Sequence, residues 1–240
     1  MSYRHSVATR GPGIGRWENY RPVGPLTADP SGLVATAPAI YEPDWTEVSL
    51  HIVLAPLDAA ARRRLRGEAA DLTAALAGLN TGLNNSAVVP LFDHCTDSRG
   101  RLVLVTGRIA GTLAGELAAT GPLAPDVVLD AAGSAAGGLE VLHQAGLVHR
   151  GVSPAALVRR PDGQITLGCP PLPVLVEFAA ATTDGTGHEP AEVLSGGDWT
   201  AGAEVYALAS TLWTLLAGRP PAGGSRDERL ARLLGGDPPR

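Results

Sequence analysis

The candidate chemical groups of this sequence are few and lie far apart along the chain. His149 and Arg150 stand side by side in a loop-like segment, whereas His51, Glu68 and Cys169 fall in separate segments. Leucines three positions before and four positions after Glu68 place it on the inward face of a helix, where a carboxylate needs a partner or a functional reason. His51 lies in a strand-like run, where its imidazole could contact a phosphate or form hydrogen bonds within the sheet.

The basic residues of the chain exclude several catalytic mechanisms. All 19 of them are arginine, so no side chain carries an ε-ammonium group. Mechanisms that need such a group are excluded, including a Schiff base and a lysine that clamps a phosphate. Arginines at positions 62, 63, 64 and 66 cluster on one helical segment. Such a cluster is typical of a solvated face, or of a surface that docks an acidic or phosphorylated partner.

The apolar pattern predicts strands first and helices afterwards. Short runs rich in valine and leucine predict the early strands, and a helix capped by Asp58 follows them. Turn residues predict two hairpins, and long alanine- and leucine-rich segments predict the later helices. The predicted ranges are strands at 22–36, 47–54, 87–92, 101–106, 157–159 and 164–167, and helices at 58–79, 126–144, 201–217 and 226–234. This order indicates a two-lobed α+β protein with a boundary near residues 108–111.

The composition argues against several classes of protein. With 24 acidic and 19 basic residues the net charge is −5, so a protein that binds nucleic acid is not expected. No segment reaches the ~20 apolar residues of a membrane span. Two cysteines cannot build a disulfide framework, so we expect a cytoplasmic location. We expect residues 1–19 to form a flexible arm, in which the run 11–15 resembles a phosphate loop only in outline.

The segment 142–158 resembles the catalytic loop of bacterial Hanks-type serine/threonine protein kinases, and other segments match that family in the same order. The family pattern H-R-D-x-x-x-x-N falls on His149, Arg150, Gly151 and Ala156. The other matches are Gly32 to Val34 at the end of the glycine-rich loop, 48–51 at the strand of the clamp lysine, Glu68 at the helix glutamate, Thr106 to Arg108 at the gatekeeper and hinge, 190–194 at the A-P-E region and 204–209 in the buried helix. The resemblance spans about residues 20–221. It implies an α+β, protein-kinase-like fold of two lobes. The small N-lobe, residues 20–107, is an antiparallel β-rich lobe with one helix. The larger C-lobe, residues 108–240, is helical and lacks the family's last helices.

In the same alignment, this sequence lacks the side chains that phosphoryl transfer requires. His51 replaces the clamp lysine, Gly151 replaces the base aspartate, and Ala156 replaces an asparagine that binds Mg²⁺. The D-F-G triplet falls on Cys169-Pro170-Pro171, and a thiol is a poor ligand for Mg²⁺. Asp29 stands at a glycine of the phosphate loop, where its charge would repel phosphate.

The resemblance therefore implies a pseudokinase, an inactive kinase-like module that acts as a regulatory or scaffolding protein-interaction domain. Two alternatives stay open: a sensor that holds a nucleotide or another small molecule in the degenerate cleft, and a divergent kinase with residual phosphotransfer. We expect no catalytic residue, metal site or cofactor, although hinge backbone groups leave weak, metal-independent nucleotide binding open. We expect a protein partner, or self-association through the exposed flank of the shortened C-lobe. The degenerate cleft positions are Gly32, Val34, His51, Glu68, Thr106, Arg108, Gly151, Ala156 and Cys169.

Overall fold

The computed structural model describes residues 16–29, 31–79, 87–182 and 185–236. Most of the predicted arm, residues 1–15, lies outside these ranges. Trp17–Asn19 form a 3-10 helix, and Trp17 packs against a core cluster of the neighbouring sheet. Residues 17–19 therefore differ from the expected flexible arm, because an aromatic side chain anchors them.

An antiparallel sheet forms the first half of the fold. Its strands are β1 (Tyr20–Pro22), β2 (Thr27–Ala28), β3 (Val34–Tyr41), β4 (Thr46–Val53), β5 (Leu91–Thr96) and β6 (Leu102–Gly107). They lie in the order β1-β3-β4-β6-β5, with β2 beside β3. Successive residues of a strand point to opposite faces, so Val48, Leu50 and Ile52 of β4 pack in one core cluster, and Val53 joins the other.

The helix of this half, α1 (Ala59–Leu79), packs against β5 and β6. It begins after Asp58, whose carboxylate accepts a hydrogen bond from the Ala61 N–H at 2.7 Å. Leu65, Ala69 and Leu76 form its buried stripe and join the core that contains Val53. The predicted cap at Asp58 is confirmed.

Helices dominate the second half of the fold. They are α2 (Leu113–Thr120), α3 (Pro125–Gln144), α4 (Pro173–Thr182), α5 (Ala191–Leu194), α6 (Ala201–Ala217) and α7 (Arg226–Gly235). A small sheet of β7 (Gly111–Thr112), β8 (Leu157–Arg159) and β9 (Ile165–Leu167) lies among them in that order. At Gly138 α3 passes so close to its neighbours that an added Cβ would lie 2.6 Å from the Ala87 carbonyl oxygen and 2.9 Å from Cβ of Leu167 on β9, which only glycine avoids.

Most predicted elements are confirmed, but two strand predictions are wrong in part. The range 22–36 is divided among β1, β2 and the start of β3, because a tight turn at Asp29 interrupts it. The strand predicted at 87–92 begins only at Leu91, because the preceding backbone bonds to β9: Leu167 donates to the Ala87 carbonyl at 3.2 Å, and Val89 donates to the Leu167 carbonyl at 2.7 Å. In the described ranges, no helix has both the length and the apolar character needed to cross a membrane.

Candidate functional site

The turn between β2 and β3 is held by a carboxylate of its own. Asp29 Oδ1 accepts hydrogen bonds from the Leu33 N–H at 3.1 Å and the Val34 N–H at 3.5 Å. Both oxygens of Asp29 also accept from Ser31 Oγ at 2.9 Å, and the Gly32 N–H donates to the Asp29 carbonyl at 3.0 Å. A phosphate bound at this turn would meet the charge of Asp29 and compete with it for the same N–H groups.

His51 bridges neighbouring strands of the sheet. Its Nε2 lies 2.9 Å from Thr106 Oγ1 on β6, and its Nδ1 lies 3.1 Å from Thr36 Oγ1 on β3. The Thr106 hydroxyl donates its proton to the Gly107 carbonyl at 3.1 Å. Thr106 therefore accepts from the His51 Nε2–H, and His51 Nδ1 accepts from Thr36. Both ring nitrogens are used within the sheet.

The imidazole of His51 does not supply the charge of the lysine that it replaces. Burial lowers the pKa of His51 to about 4, because the charged form loses its hydration. The ring is thus neutral at pH 7 and cannot neutralise a phosphate.

Glu68 pairs with an arginine one turn earlier on α1. Its carboxylate lies 3.4 Å from Arg64, and Arg64 also donates two hydrogen bonds to Glu177 of α4, at 2.9 and 3.0 Å. The hydrogen bond from Arg64 holds the pKa of Glu177 below its usual range. Because Arg64 and Glu177 are both exposed, solvent screens this pair and it adds little to stability, but it connects α4 to α1.

The loop at 149–151 is built around a buried, neutral imidazole. His149 Nε2 donates to the Gly168 carbonyl at 3.3 Å, and its Nδ1 accepts from the Gly151 N–H at 3.2 Å. Burial lowers the pKa of His149 to about 4. Arg150 adopts a left-handed backbone conformation with φ of 65°, and its N–H donates to Glu204 Oε1 at 2.5 Å. The Glu204 carboxylate therefore holds the loop in the strained backbone conformation of Arg150.

Gly151 leaves no room for a carboxylate at the position of the base. A Cβ at residue 151 would lie 2.8 Å from Cγ and 3.3 Å from Cδ of Pro171. The ring of Pro171 thus occupies the space into which an aspartate would extend. An aspartate at this position requires Pro171 to move.

The positions that would hold Mg²⁺ offer no ligand set for it. Ala156 has only backbone oxygen, and its carbonyl already accepts from the Gly168 N–H at 2.7 Å. Burial raises the pKa of the Cys169 thiol to about 12, so it stays protonated. Among the described residues, no group of three or more histidine, cysteine, aspartate or glutamate side chains could hold a metal ion.

The backbone that connects the two halves is engaged in hydrogen bonds of its own. The Ile109 N–H donates to Ser49 Oγ at 2.9 Å, and the Arg108 guanidinium donates to the Ile109 carbonyl. The Ala110 N–H donates to the Arg159 carbonyl at 2.8 Å. An adenine at this segment would have to displace these contacts.

The structure gathers six of the nine predicted cleft positions into two groups. Val34, His51 and Thr106 lie on the neighbouring strands β3, β4 and β6. Gly151, Ala156 and Cys169 surround Gly168, through the His149 and Ala156 contacts described above. Gly32 lies in the Asp29 turn, Glu68 lies on α1, and Arg108 lies in the connecting segment.

Four contacts that shape this cleft were not predicted from the sequence, which placed Pro171 only in the D-F-G triplet and Ser49 only in the strand of the clamp lysine. They are made by Thr36, Ser49, Pro171 and Glu177. A signal existed for Thr36, because the β3–β4 hairpin register pairs it with His51. For the other three the contacts span 20 to 113 residues, and no local pattern predicts them.

Comparison with known proteins gives the class. No family model matches the chain. It is similar to the "Serine/threonine-protein kinase PknL" of Mycobacterium tuberculosis (strain CDC 1551 / Oshkosh) and of Mycobacterium bovis, at 32% identity over 164 residues, which is 66% of this chain and 41% of the relative. It is also similar to the "Serine/threonine-protein kinase PkaB" of Streptomyces coelicolor, at 30% identity over 165 residues, which is 63% of this chain and 39% of the relative.

These similarities and the order of the elements define a protein-kinase-like α+β fold, with an antiparallel sheet in the first half and helices in the second. The chain is related to bacterial serine/threonine protein kinases. It spans about two fifths of the length of the curated relatives that it matches, 41% of one and 39% of another.

Proposed function

We propose that this chain is a catalytically inactive kinase-like module, a pseudokinase, that acts through regulatory or scaffolding contacts with other proteins. The observation that carries the proposal is the contact between Pro171 and Gly151. A Cβ at position 151 would lie 2.8 Å from the proline ring, so restoring the family's base also requires Pro171 to move.

The expected loss of rate is large. A general base contributes about 10²–10⁴ to a rate, and a clamp donor contributes about 10²–10³. Starting from a typical kinase rate of about 1–100 per second, a combined loss of about 10⁶ leaves roughly one turnover in hours to days. The neutral His51 and the carboxylate of Asp29 act in the same direction, because neither favours a bound triphosphate.

The proposal also covers the affinity for nucleotide, the boundaries of the lobes and the location of the protein. We expect no tightly bound nucleotide, since the connecting backbone is engaged and His51 is neutral. We place the two lobes at residues 20–107 and 108–240, after an arm within residues 1–19, and the protein in the cytoplasm.

A nucleotide titration tests the inactive cleft. We expect the melting temperature of the chain to stay unchanged at about 1 mM ATP, with or without Mg²⁺. Tight binding would be detected, because a ligand at 100 times its Kd adds about 2.7 kcal/mol of stability. We also expect transfer of labelled phosphate to a generic protein substrate to match a blank without the chain. An active serine/threonine kinase under the same conditions serves as the control. A melting shift with ATP alone would favour the sensor, and phosphate transfer above the blank would favour the divergent kinase.

The contact role is supported by the outer face of α6. Val205, Trp213 and Leu216 are 63%, 42% and 48% exposed, and the other exposed residues of this helix are alanine or glycine. The one charged residue of α6, Glu204, is fully buried. A helix face that exposes large apolar side chains and no charge is typical of a protein contact. We propose that a second copy of the chain covers it, since two uncharged faces meet without repulsion.

A substitution on this face tests self-association. We expect the wild-type chain to dimerise with rising concentration in sedimentation equilibrium, and Trp213→Glu to be monomeric at the same concentrations, because it places a charge in an apolar contact. Trp45→Glu is the matched control, since Trp45 is a second exposed tryptophan, 68% exposed, on the β3–β4 turn. A monomeric wild-type chain, or equal dimerisation of Trp213→Glu and wild type, would rule out this interface.

A further inference from the structure

Three arginines in the first half of α1 form a surface of unpaired positive charge, the arginine face. They are Arg62, Arg63 and Arg66, and all three are exposed. None of their guanidinium groups has a hydrogen bond or an ion pair with the residues that the structure describes. By contrast, Arg101 contacts the carboxylate of Asp97 at 2.7 Å, and ion pairs of the same kind hold other arginines of the chain.

The arginine face points away from the other charges of α1. At about 100° per residue, its three members lie within about 100° of one another, whereas Arg64 lies about 150° from their centre. Glu68 and Asp71, the acidic residues of α1, share the side of Arg64. That side of the helix faces α4, because Arg64 donates to Glu177 at 3.0 Å. The carboxylates of the helix therefore lie away from the arginine face.

Among the described residues, the elements packed on α1 bring no free carboxylate to this face. Besides α4, α1 packs against β5 and β6. β6 has no acidic residue, and that of β5, Asp93, accepts from the Tyr20 hydroxyl at 2.8 Å. Asp58, four residues before Arg62, caps the helix through its Oδ1. The segments outside the described ranges contribute two aspartates to the sequence, at positions 184 and 237, which is fewer than the three arginines.

The spacing of the arginine face lowers the stability of the free protein. Arg62 and Arg66 are four residues apart and Arg63 and Arg66 are three apart, so the members of each pair are neighbours on the helix surface and repel each other. Arg62 and Arg63 are the fourth and fifth residues of α1, near its positively polarised end, and the first turn holds no acidic residue. An anion bound between the three side chains would reverse both effects.

The chemistry of the arginine face fits a phosphate on a protein. A phosphate monoester carries a charge of about −1.5 to −2 and three acceptor oxygens, so it can accept from several guanidinium groups, whereas a carboxylate matches one. A membrane is not favoured, because the apolar stripe of α1 is buried and its described residues expose no large apolar side chain. The net charge of −5 disfavours nucleic acid.

We propose that the arginine face binds a phosphorylated serine or threonine side chain of a partner protein. The guanidinium groups of Arg62, Arg63 and Arg66 donate to the phosphate oxygens and neutralise its charge. The assignment rests on the proposed role as an interaction module, and it names one surface of that module and the chemistry of its partner. It is separate from the outer face of α6, which we assign to a second copy of the chain.

An NMR titration of the full chain tests this assignment at the arginine side chains. The probe is a nonapeptide of glycine and alanine with one central phosphoserine, and two reference peptides carry glutamate or serine at that position. We expect the phosphoserine peptide to shift the Nε–Hε signals of Arg62, Arg63 and Arg66. It should bind at least about tenfold more tightly than the glutamate peptide, because the phosphate adds about one charge and one acceptor oxygen. The serine peptide should shift none of these signals.

Variants of the chain separate the arginine face from general charge attraction. We expect Arg62→Gln with Arg66→Gln to weaken binding at least about tenfold. Arg99→Gln with Arg219→Gln, which removes the same charge from exposed arginines elsewhere, should leave binding unchanged. The Arg62/Arg66 variant should melt at or above the temperature of the wild type, because it removes a repelling pair. A lower melting temperature would give these arginines a structural role and overturn the inference.

The remaining outcomes distinguish other ligands and the inactive cleft. No shift of the three signals, or equal binding of the phosphoserine and glutamate peptides, would overturn the assignment. Binding to phosphatidylserine vesicles or to single-stranded DNA that the Arg62/Arg66 variant abolishes would also overturn it, in favour of a membrane or a nucleic acid. Peptide binding by a chain that also transfers phosphate would keep the arginine face and refute the inactive cleft. Absence of peptide binding would leave the inactive cleft untouched.

Discussion

Replacing Glu204 with alanine is expected to lower the free energy of unfolding by about 3–5 kcal/mol. The carboxylate is fully buried on α6 and accepts from the Arg150 N–H at 2.5 Å while it contacts His143 Nε2 at 2.7 Å. Its removal leaves two half-buried polar groups, the Arg150 N–H and His143 Nε2, without their partner and opens a cavity. It also releases Arg150 from a left-handed conformation that the loop holds only because it is anchored.

Urea denaturation measures this loss, and three further variants make the result specific. Glu204→Gln keeps an acceptor for Arg150, so we expect a smaller loss of about 1–2 kcal/mol. Glu140→Ala, an exposed glutamate of α3, should change stability by less than about 0.5 kcal/mol. A double-mutant cycle with His143→Ala should show coupling of at least about 0.5 kcal/mol. Additive effects of Glu204→Ala and His143→Ala, or a loss no larger than that of Glu140→Ala, would contradict the anchoring role.

Acid is expected to unfold the protein well before its carboxylates are protonated. Burial lowers the pKa of His149 and of His188 to about 4, and His51 behaves in the same way. In the unfolded chain a histidine has a pKa of about 6.5, so the unfolded state binds protons more tightly than the folded state. The stability from each neutral ring is complete above pH 6.5 and is lost as the pH falls from about 6.5 to about 4.

The size of this effect follows from the pKa values. A shift from 6.5 to about 4 corresponds to about 3 kcal/mol for each fully buried histidine, a large share of a typical 5–15 kcal/mol. Three carboxyl groups have lowered pKa values, those of Glu177, Asp97 and Glu116. The stability that they contribute to the protein is also lost in acid, but only below the ordinary pKa values of 3.8 to 4.5. The range above pH 4.5 therefore reports on the histidines.

Urea midpoints measured at intervals between pH 7.5 and pH 4.5 check this prediction, with the slope of stability against pH as the readout. His188→Asn should reduce that slope by up to one proton, since it removes one titrating ring that bonds to Ser210 at 3.0 Å. Ser210→Ala keeps the ring and serves as the control for loss of that hydrogen bond. Stability that is flat or rising as the pH falls through this range would contradict the neutral, buried rings.

The elements differ in how well local pattern predicts them. The helices α1, α3 and α6 have long apolar stripes and clear caps or stops, so their ends were predicted to within one residue. No helix was predicted at 173–182, where α4 forms beside α1 with Glu177 bonded to Arg64. The early strands are short and interrupted by turns, so the range 22–36 could not be divided correctly without knowing which strand pairs with which.

The amino-acid sequence by itself determined which chemistry is excluded, because the identity of a side chain is enough to exclude it. A chain without lysine has no ε-ammonium clamp, and the glycine and alanine at positions 151 and 156 have no side-chain group to accept a proton or bind a metal. Only the tertiary structure decided what the remaining groups do. The bonds from His51 to Thr36 and Thr106 depend on strand register, and the contact of Pro171 with Gly151 depends on how distant segments pack, which no local pattern contains.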